Sequence, residues 1–216
     1  DMLDWIDKYL HFYKIGSGDL TNYPLIKEFT KREKPIVLST GLANFQEIDQ
    51  TVSFIKKQQD FYKKPENLCI MQCTSMYPIP NAEANLNCIN SFKKRYECLV
   101  GYSDHTVGID GLLIASILGS DILEFHFTDN VNNRNFRDHQ VSLTKDMVLE
   151  LKSQIRRFNE FLGSPIKQPQ ESEIKNNHRK TFRRGVFPKI KIKKGTKIKS
   201  KYLVTLRPHE GTCASE

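Results

Sequence analysis

Residues 35–75, PIVLSTGLANFQEIDQTVSFIKKQQDFYKKPENLCIMQCTS, decide the fold. Two short apolar runs, PIVLSTG and LCIMQCTS, flank a stretch in which Phe45, Ile48, Val52 and Ile55 recur at helical spacing. Asn44 and Glu47 stand three apart just before that stretch, the spacing of a capping box that starts a helix. Strand, helix, strand at this length is the crossover that parallel pairing requires. Working outward, FYKIGSGD (12–19) precedes the unit, and ECLVGYSDH (97–105) and DILEFHFTD (121–129) follow it, giving five strands. A later helix is expected from about Lys145 to Leu162, with Val148, Leu151, Ile155, Phe158 and Leu162 on one stripe and Gly163 placed to end it.

Alternating strands and helices fit an open doubly wound sheet or a closed (β/α)8 barrel. Polar residues follow every strand: Lys14, Ser17 and Asp19; Ser39 and Thr40; Thr74 and Ser75; Ser103, Asp104 and His105; His126 and Thr128. In a barrel all these ends share one mouth, whereas in an open sheet only those beside a switch point do. The pattern favours a partial (β/α)8 TIM barrel of about five βα units. Five strands cannot close a barrel, so three more are expected ahead of Asp1. The composition changes after GSPIKQPQESEIKNNHRK, and a short β-rich segment follows. The expected division is barrel over 1–165, linker over 166–179 and a small partial β domain over 180–216.

With 216 residues and 38% hydrophobic content the chain can bury a core. No run reaches the roughly 18 apolar residues of a membrane helix, and DMLDWIDKYL has no signal-peptide pattern, so a cytoplasmic protein with no membrane partner is expected. The five cysteines are odd in number, lack CxxC spacing and read as reduced thiols. The net charge is +8, but ten Lys and Arg lie between Lys180 and Lys201, and removing them leaves −2. There KIKIKKGTKIKSKY alternates Lys with Ile as a half-exposed strand would, with few aromatics to stack on bases. A solvated strand face is expected, and no nucleic-acid partner.

His105 and His126 each close a candidate strand. In DILEFHFT the period of two puts Glu124 and His126 on one face. Two neutral imidazoles on neighbouring strand ends suit a catalytic divalent ion with open positions, and equally suit two hydrogen-bonded structural histidines. KIGSGD, STG, the end of QCTS and YSDH bring Ser17, Ser39, Ser75 and Ser103 to the same mouth with Lys14 as countercharge, an arrangement for an anion.

Several motifs occur together in one register: KIGSGDLTNYPLIK, KPIVLSTGL, QCTSMYPIP, GYSDHTVGI, LEFHFT, DHQVSL, and later KKGTKI, KYL and RP. In order and spacing, from Tyr13 to Pro208, they resemble the N-acetylneuraminate (sialic acid) synthase family. That resemblance implies a TIM barrel followed by a small antifreeze-like (SAF) domain, in a domain-swapped homodimer whose small domain covers the partner's barrel mouth. It also implies condensation of phosphoenolpyruvate with an open-chain 2-acetamido sugar, with Mn2+, Mg2+ or Co2+ as cofactor and release of phosphate. Position by position, His105 and His126 would bind the metal. Lys14, Ser17, Ser39, Ser75 and Ser103 would hold phosphoenolpyruvate, with Tyr77 lining the site. Asp19 and Asp138 would contact sugar hydroxyls, and Arg207 the N-acyl group across the dimer. Lys14, Tyr77 and Asp138 would be the catalytic members.

Three positions depart from the family pattern. Asp19 replaces a common Glu, Ser75 stands where some members have Asn, and Phe136-Arg137-Asp138 replaces Gly-Pro-Asp beside the sugar. N-acetylmannosamine and a 2,4-diacetamido-trideoxyhexose both stay open as the sugar. The rival readings are a non-catalytic sugar-phosphate binder or inactive fragment, a metal-dependent aldolase using pyruvate, and a nucleic-acid-binding tail.

Overall fold

The computed structural model describes residues 2–132 and 134–215. The chain divides into two compact units, Asp1–Gly163 and Ser164–Glu216. In the first, α1 (Met2–Asp7), β1 (Tyr13–Ile15), α2 (Tyr23–Thr30), β2 (Ile36–Ser39), α3 (Phe45–Gln58), β3 (Leu68–Cys73), α4 (Cys88–Arg95), β4 (Leu99–Ser103), α5 (Asp110–Ile117) and β5 (Ile122–Glu124) succeed one another. They are followed by β6 (His126–Phe127), α6 (Arg137–Gln140), β7 (Ser142–Leu143) and α7 (Lys145–Leu162).

The main sheet has the order β1-β2-β3-β4-β5, every pair parallel. A doubly wound sheet reverses its order at a switch point, and this one does not. Strands laid down consecutively in one direction curl into part of a barrel, so the sheet is a parallel α/β half-barrel. After the single residue Phe125 the β5 strand resumes as β6, which pairs with β7 through His126↔Ser142 and Phe127↔Leu143. The strand β7 was not anticipated, because two residues are too few to show a period.

Alternation along the strands sorts the two faces. Tyr13, Ile15, Ile36, Leu38, Leu68, Ile70, Val100 and Tyr102 point outward into the core shared with the helices. Burying each such aliphatic side chain contributes about 1.5–3 kcal/mol. Val37, Cys69 and Met71 form a smaller inner cluster with Leu99 and Ile122 against it. At Gly101 an added Cβ would lie 2.8 Å from the Ile122 carbonyl oxygen and 2.9 Å from Met71 Cε, so that inner layer has no room for a side chain there.

The helix signals act as expected. Asn44 Oδ1 accepts from the Glu47 amide at 3.0 Å while Glu47 Oε2 accepts from the Asn44 amide at 2.9 Å, a complete capping box on α3. On α7, Leu151 is buried and Val148, Ile155 and Phe158 pack against the core. Leu162, expected on that stripe, is 56% exposed, as the last helical residue before Gly163 turns the chain at φ 53°.

In the second unit, α8 (Glu171–Lys175) and α9 (His178–Phe182) are followed by an antiparallel pair, β8 (Gly185–Pro188) with β9 (Leu203–Leu206). The Lys/Ile alternation between them is not a strand, contrary to expectation. The strands lie on either side of it, Ile190 and Ile198 are exposed, and Gly195 turns at φ 86°. Alternation predicts a strand only where a partner and an apolar layer await it, and this segment has neither. All five cysteines are free. Among the described residues no helix is long and apolar enough to cross a membrane.

Candidate active site

Because Tyr13 and Ile15 point into the core, Lys14 between them must project from the opposite, inner face. Its ammonium donates to Ser39 Oγ at 2.7 Å and lies 3.4 Å from Glu124 Oε2. Ser103 Oγ in turn donates to Glu124 Oε1 at 3.3 Å. Strands β1, β2, β4 and β5 therefore meet in one chain of polar contacts across the inner face. Ser39 and Ser103 are buried, so these hydroxyls, the first accepting and the second donating, are held in place.

A second group closes on the turn after β2. The Gly41 amide donates to Ser17 Oγ at 2.9 Å. A Cβ on Gly41 would stand 2.2 Å from Ser75 Oγ and 2.8 Å from Ser17 Oγ, so both hydroxyls crowd onto bare backbone. Ser17 Oγ also lies 3.8 Å from Cys73 Sγ. Burial pushes the Cys73 thiol above its ordinary range, against hydrogen bonds to Ser17 and Ser103, and keeps it neutral. Hydroxyls and an ammonium around a side-chain-free turn make a cradle for a compact anion.

Beside the cradle lie three rings. Tyr77 is 4.1 Å from His105 and 5.4 Å from His126, centroid to centroid, and the two imidazoles are 5.3 Å apart. His105 Nδ1 lies 2.7 Å from the Thr74 carbonyl oxygen. A carbonyl only accepts, so Nδ1 carries a proton, and in the neutral tautomer the lone pair is on Nε2. Burial, then the neighbouring His105, lowers the His126 pKa, against Asp138 and Glu124, which favours its neutral form. Asp138 Oδ1 stands 3.7 Å from His126 Nδ1. Two adjacent imidazoles, one oriented by a backbone carbonyl, fit the donor set of a divalent ion that keeps open positions. Among the described residues no group of three or more His, Cys, Asp or Glu converges for such an ion.

Lys14, Ser39 and Ser103, and likewise Ser17 and Ser75, are thus brought together. His105, His126, Tyr77 and Asp138 form a further group, joined to the cradle through Cys73, whose Sγ is 3.9 Å from His105 Nδ1. Asp19 sits in the turn after β1 and accepts from Asn22 Nδ2 at 3.0 Å. Arg207 belongs to the second unit, where its Nε donates to the Phe182 carbonyl at 2.7 Å. Asp104 is structural: buried, it accepts from Tyr102 Oη at 2.9 Å and from the Thr106 amide at 2.8 Å. Sequence reasoning passed over Cys73, the Thr74 carbonyl and the pairing of Glu124 with Lys14. Only the inward face of Glu124 was readable, from the period of two.

A parallel half-barrel with an anion cradle and paired imidazoles at the carboxyl ends of its strands places the chain among TIM-barrel-type α/β proteins with a mouth site. Residues 1–167 match the NeuB family, and the chain belongs to it. It is 38% identical over 205 residues to the N,N'-diacetyllegionaminic acid synthase of Campylobacter jejuni, covering 95% of this chain and 60% of that protein. It is 33% identical over 188 residues to the N-acetylneuraminate-9-phosphate synthase of Mus musculus, covering 87% of this chain and 50% of that one. The crystal structure of the N-acetylneuraminic acid (sialic acid) synthetase of Leptospira borgpetersenii, in complex with citrate, superposes with a TM-score of 0.69 at 31% identity, over 78% of this chain and 57% of that one. The chain thus spans half to three-fifths of the length of these relatives.

Proposed function

We propose that the whole protein is a nonulosonic acid synthase that condenses phosphoenolpyruvate with an open-chain 2-acetamido sugar and releases phosphate. The observation that carries this is the cradle of Ser17, Ser75 and Gly41, joined through Cys73 to the His105–Tyr77–His126 rings. An acceptor for a phosphate-bearing acid stands next to an acceptor for a carbonyl.

In this reading Lys14, Ser17, Ser39, Ser75 and Ser103 hold the carboxylate and phosphate of phosphoenolpyruvate, and Lys14 stabilises the charge that builds as the reaction proceeds. His105 and His126 would hold a divalent ion, Mn2+ or else Mg2+ or Co2+, which when bound supplies polarisation of the sugar's aldehyde oxygen. Tyr77 walls the two substrates together, and Asp138 and Asp19 accept from sugar hydroxyls. The C3 carbon of phosphoenolpyruvate bonds to the aldehyde carbon, and water adds at C2. The C2–O bond then breaks, phosphate leaves and the 2-keto group forms. The second unit would be part of an antifreeze-like domain, with Arg207 reaching the N-acyl group in a domain-swapped homodimer. A cytoplasmic location fits the use of phosphoenolpyruvate.

The test incubates the full-length protein with N-acetylmannosamine or a 2,4-diacetamido-trideoxyhexose and either phosphoenolpyruvate or pyruvate. Phosphate release matched to a nonulosonic acid mass, with phosphoenolpyruvate only, is expected. Product from pyruvate would make the protein an aldolase, and uptake of phosphoenolpyruvate without turnover would make it a binder.

A further inference from the structure

The motif DHQVSL (138–143) holds more than Asp138. Asp138 and His139 lie on the single turn of α6, which buries no side chain of its own. One helical turn is unstable without tertiary contacts, so its place depends on what ties it down. Ser142 Oγ donates to the Asp138 carbonyl at 2.7 Å, and the exposed Arg137 has its guanidinium 5.0 Å over the Tyr77 ring. The remaining tie is His139, whose Nδ1 lies 2.9 Å from Oγ1 of the buried Thr128.

The Ser142 bond spans four residues and is local, whereas His139 and Thr128 are eleven apart and close the whole loop between β6 and α6. Thr128 is itself a fixed point, because its amide donates to the Leu143 carbonyl at 3.0 Å as an extension of the β6–β7 pairing. Its hydroxyl also lies 3.1 Å from the Asn130 carbonyl and 3.3 Å from Asp129 Oδ1, both longer than the contact to His139. Thr128 stands two residues beyond His126, and His139 one beyond Asp138. The Thr128–His139 contact therefore runs alongside the approach of Asp138 Oδ1 to His126 Nδ1, 3.7 Å, and holds the two segments at that separation.

Resting on the synthase reading, we propose that His139 is a positioning residue, whose bond to Thr128 sets the Asp138 carboxylate beside His126 where it meets the amino sugar. It touches no substrate and acts through Asp138. Without it the turn of α6 keeps its local bond to Ser142 but loses its register on β6, and the carboxylate no longer waits in place for a sugar hydroxyl. The phosphoenolpyruvate cradle, built on β1 to β4, stays as it was. The loss therefore falls on the KM for the sugar.

The experiment takes the full-length protein and its His139→Ala, His139→Asn, Asp138→Ala and doubly substituted His139→Ala/Asp138→Ala variants, with N-acetylmannosamine and a 2,4-diacetamido-trideoxyhexose as sugars. Turnover and calorimetric sugar binding are both measured. In His139→Ala the sugar KM rises about tenfold, the worth of a hydrogen bond to a charged group, while the KM for phosphoenolpyruvate and the bound metal stay put. His139→Asn, whose amide can stand in for Nδ1 opposite Thr128, restores most of that loss. In the Asp138→Ala background His139→Ala adds nothing, because a residue that acts only through Asp138 has no effect once it is gone. A further loss of the same size in that background, an equal rise in the KM for phosphoenolpyruvate, or no rise in the sugar KM would overturn the proposal. If no sugar is turned over, the synthase reading fails and binding decides the positioning role separately. Sugar binding that weakens in His139→Ala and no further in the double variant supports it, and binding that is unchanged in His139→Ala, or undetected in the unaltered protein, overturns it.

Discussion

His105 Nδ1 and the Thr74 carbonyl oxygen, 2.7 Å apart, fix one tautomer of a buried imidazole. In the neutral ring that leaves Nε2 as the lone-pair nitrogen, the form a metal ligand needs. In the full-length protein, His105→Ala and His126→Ala should each abolish stoichiometric binding of divalent ion, measured by metal analysis after gel filtration. Activity should fall by roughly a hundredfold or more. Undiminished metal content in either variant would contradict the assignment.

Gly41 makes a sharper test of the anion cradle than any serine. A methyl group there would overlap Ser75 Oγ and Ser17 Oγ, which are the free ends of small side chains and can swing aside. Gly41→Ala should therefore keep the fold and displace both hydroxyls. The KM for phosphoenolpyruvate should rise about ten- to a hundredfold, as two hydrogen bonds to a charged group are lost. Thermal unfolding should shift little, and an unchanged KM would place the anion elsewhere.

Lys14→Met removes the cation while keeping the side chain's length. Its partners Ser39 and Glu124 remain, so a carboxylate is left facing the site without its counterion. Turnover should drop on the order of a hundredfold or more. Steady-state kinetics with saturating sugar would measure it, and a loss under threefold would remove Lys14 from the catalytic group.

Away from the mouth, Asp49 on α3 accepts from Arg95 Nε at 2.8 Å and from Tyr96 Oη at 2.8 Å, tying α3 to the end of α4. Arg95 foremost, then Tyr96, lowers its carboxyl from 3.8 to about 2, against the effect of burial. A depressed carboxyl adds stability that is complete above its unfolded pKa and lost as pH falls through the folded one. Asp49→Asn should therefore unfold at a lower temperature than the unaltered protein at pH 7, and the two curves should converge between about pH 4 and pH 2. A difference persisting at pH 2 would trace the effect to something other than the charge.

Much of this was legible in the residues. The period of two in DILEF put Glu124 and His126 on one face, and Asn44 with Glu47 marked the start of α3. What local pattern could not show was set by tertiary partners. β7 is two residues of ladder created by β6, and Lys189 to Lys199 alternate like a strand with no sheet to join. Cys73 reads as one more apolar strand residue. Its place among Ser17, Ser103 and His105 comes from three strands converging, which no single stretch records.

The most direct measurement of the central claim uses phosphoenolpyruvate labelled with oxygen-18 in the bond between C2 and phosphorus, given to the full-length protein with its amino sugar. C–O cleavage at the site built by Lys14 and the serines predicts a nonulosonic acid equimolar with phosphate, with the label in the phosphate. Label left in a keto acid, or phosphate released with no carbon–carbon bond formed, would contradict it.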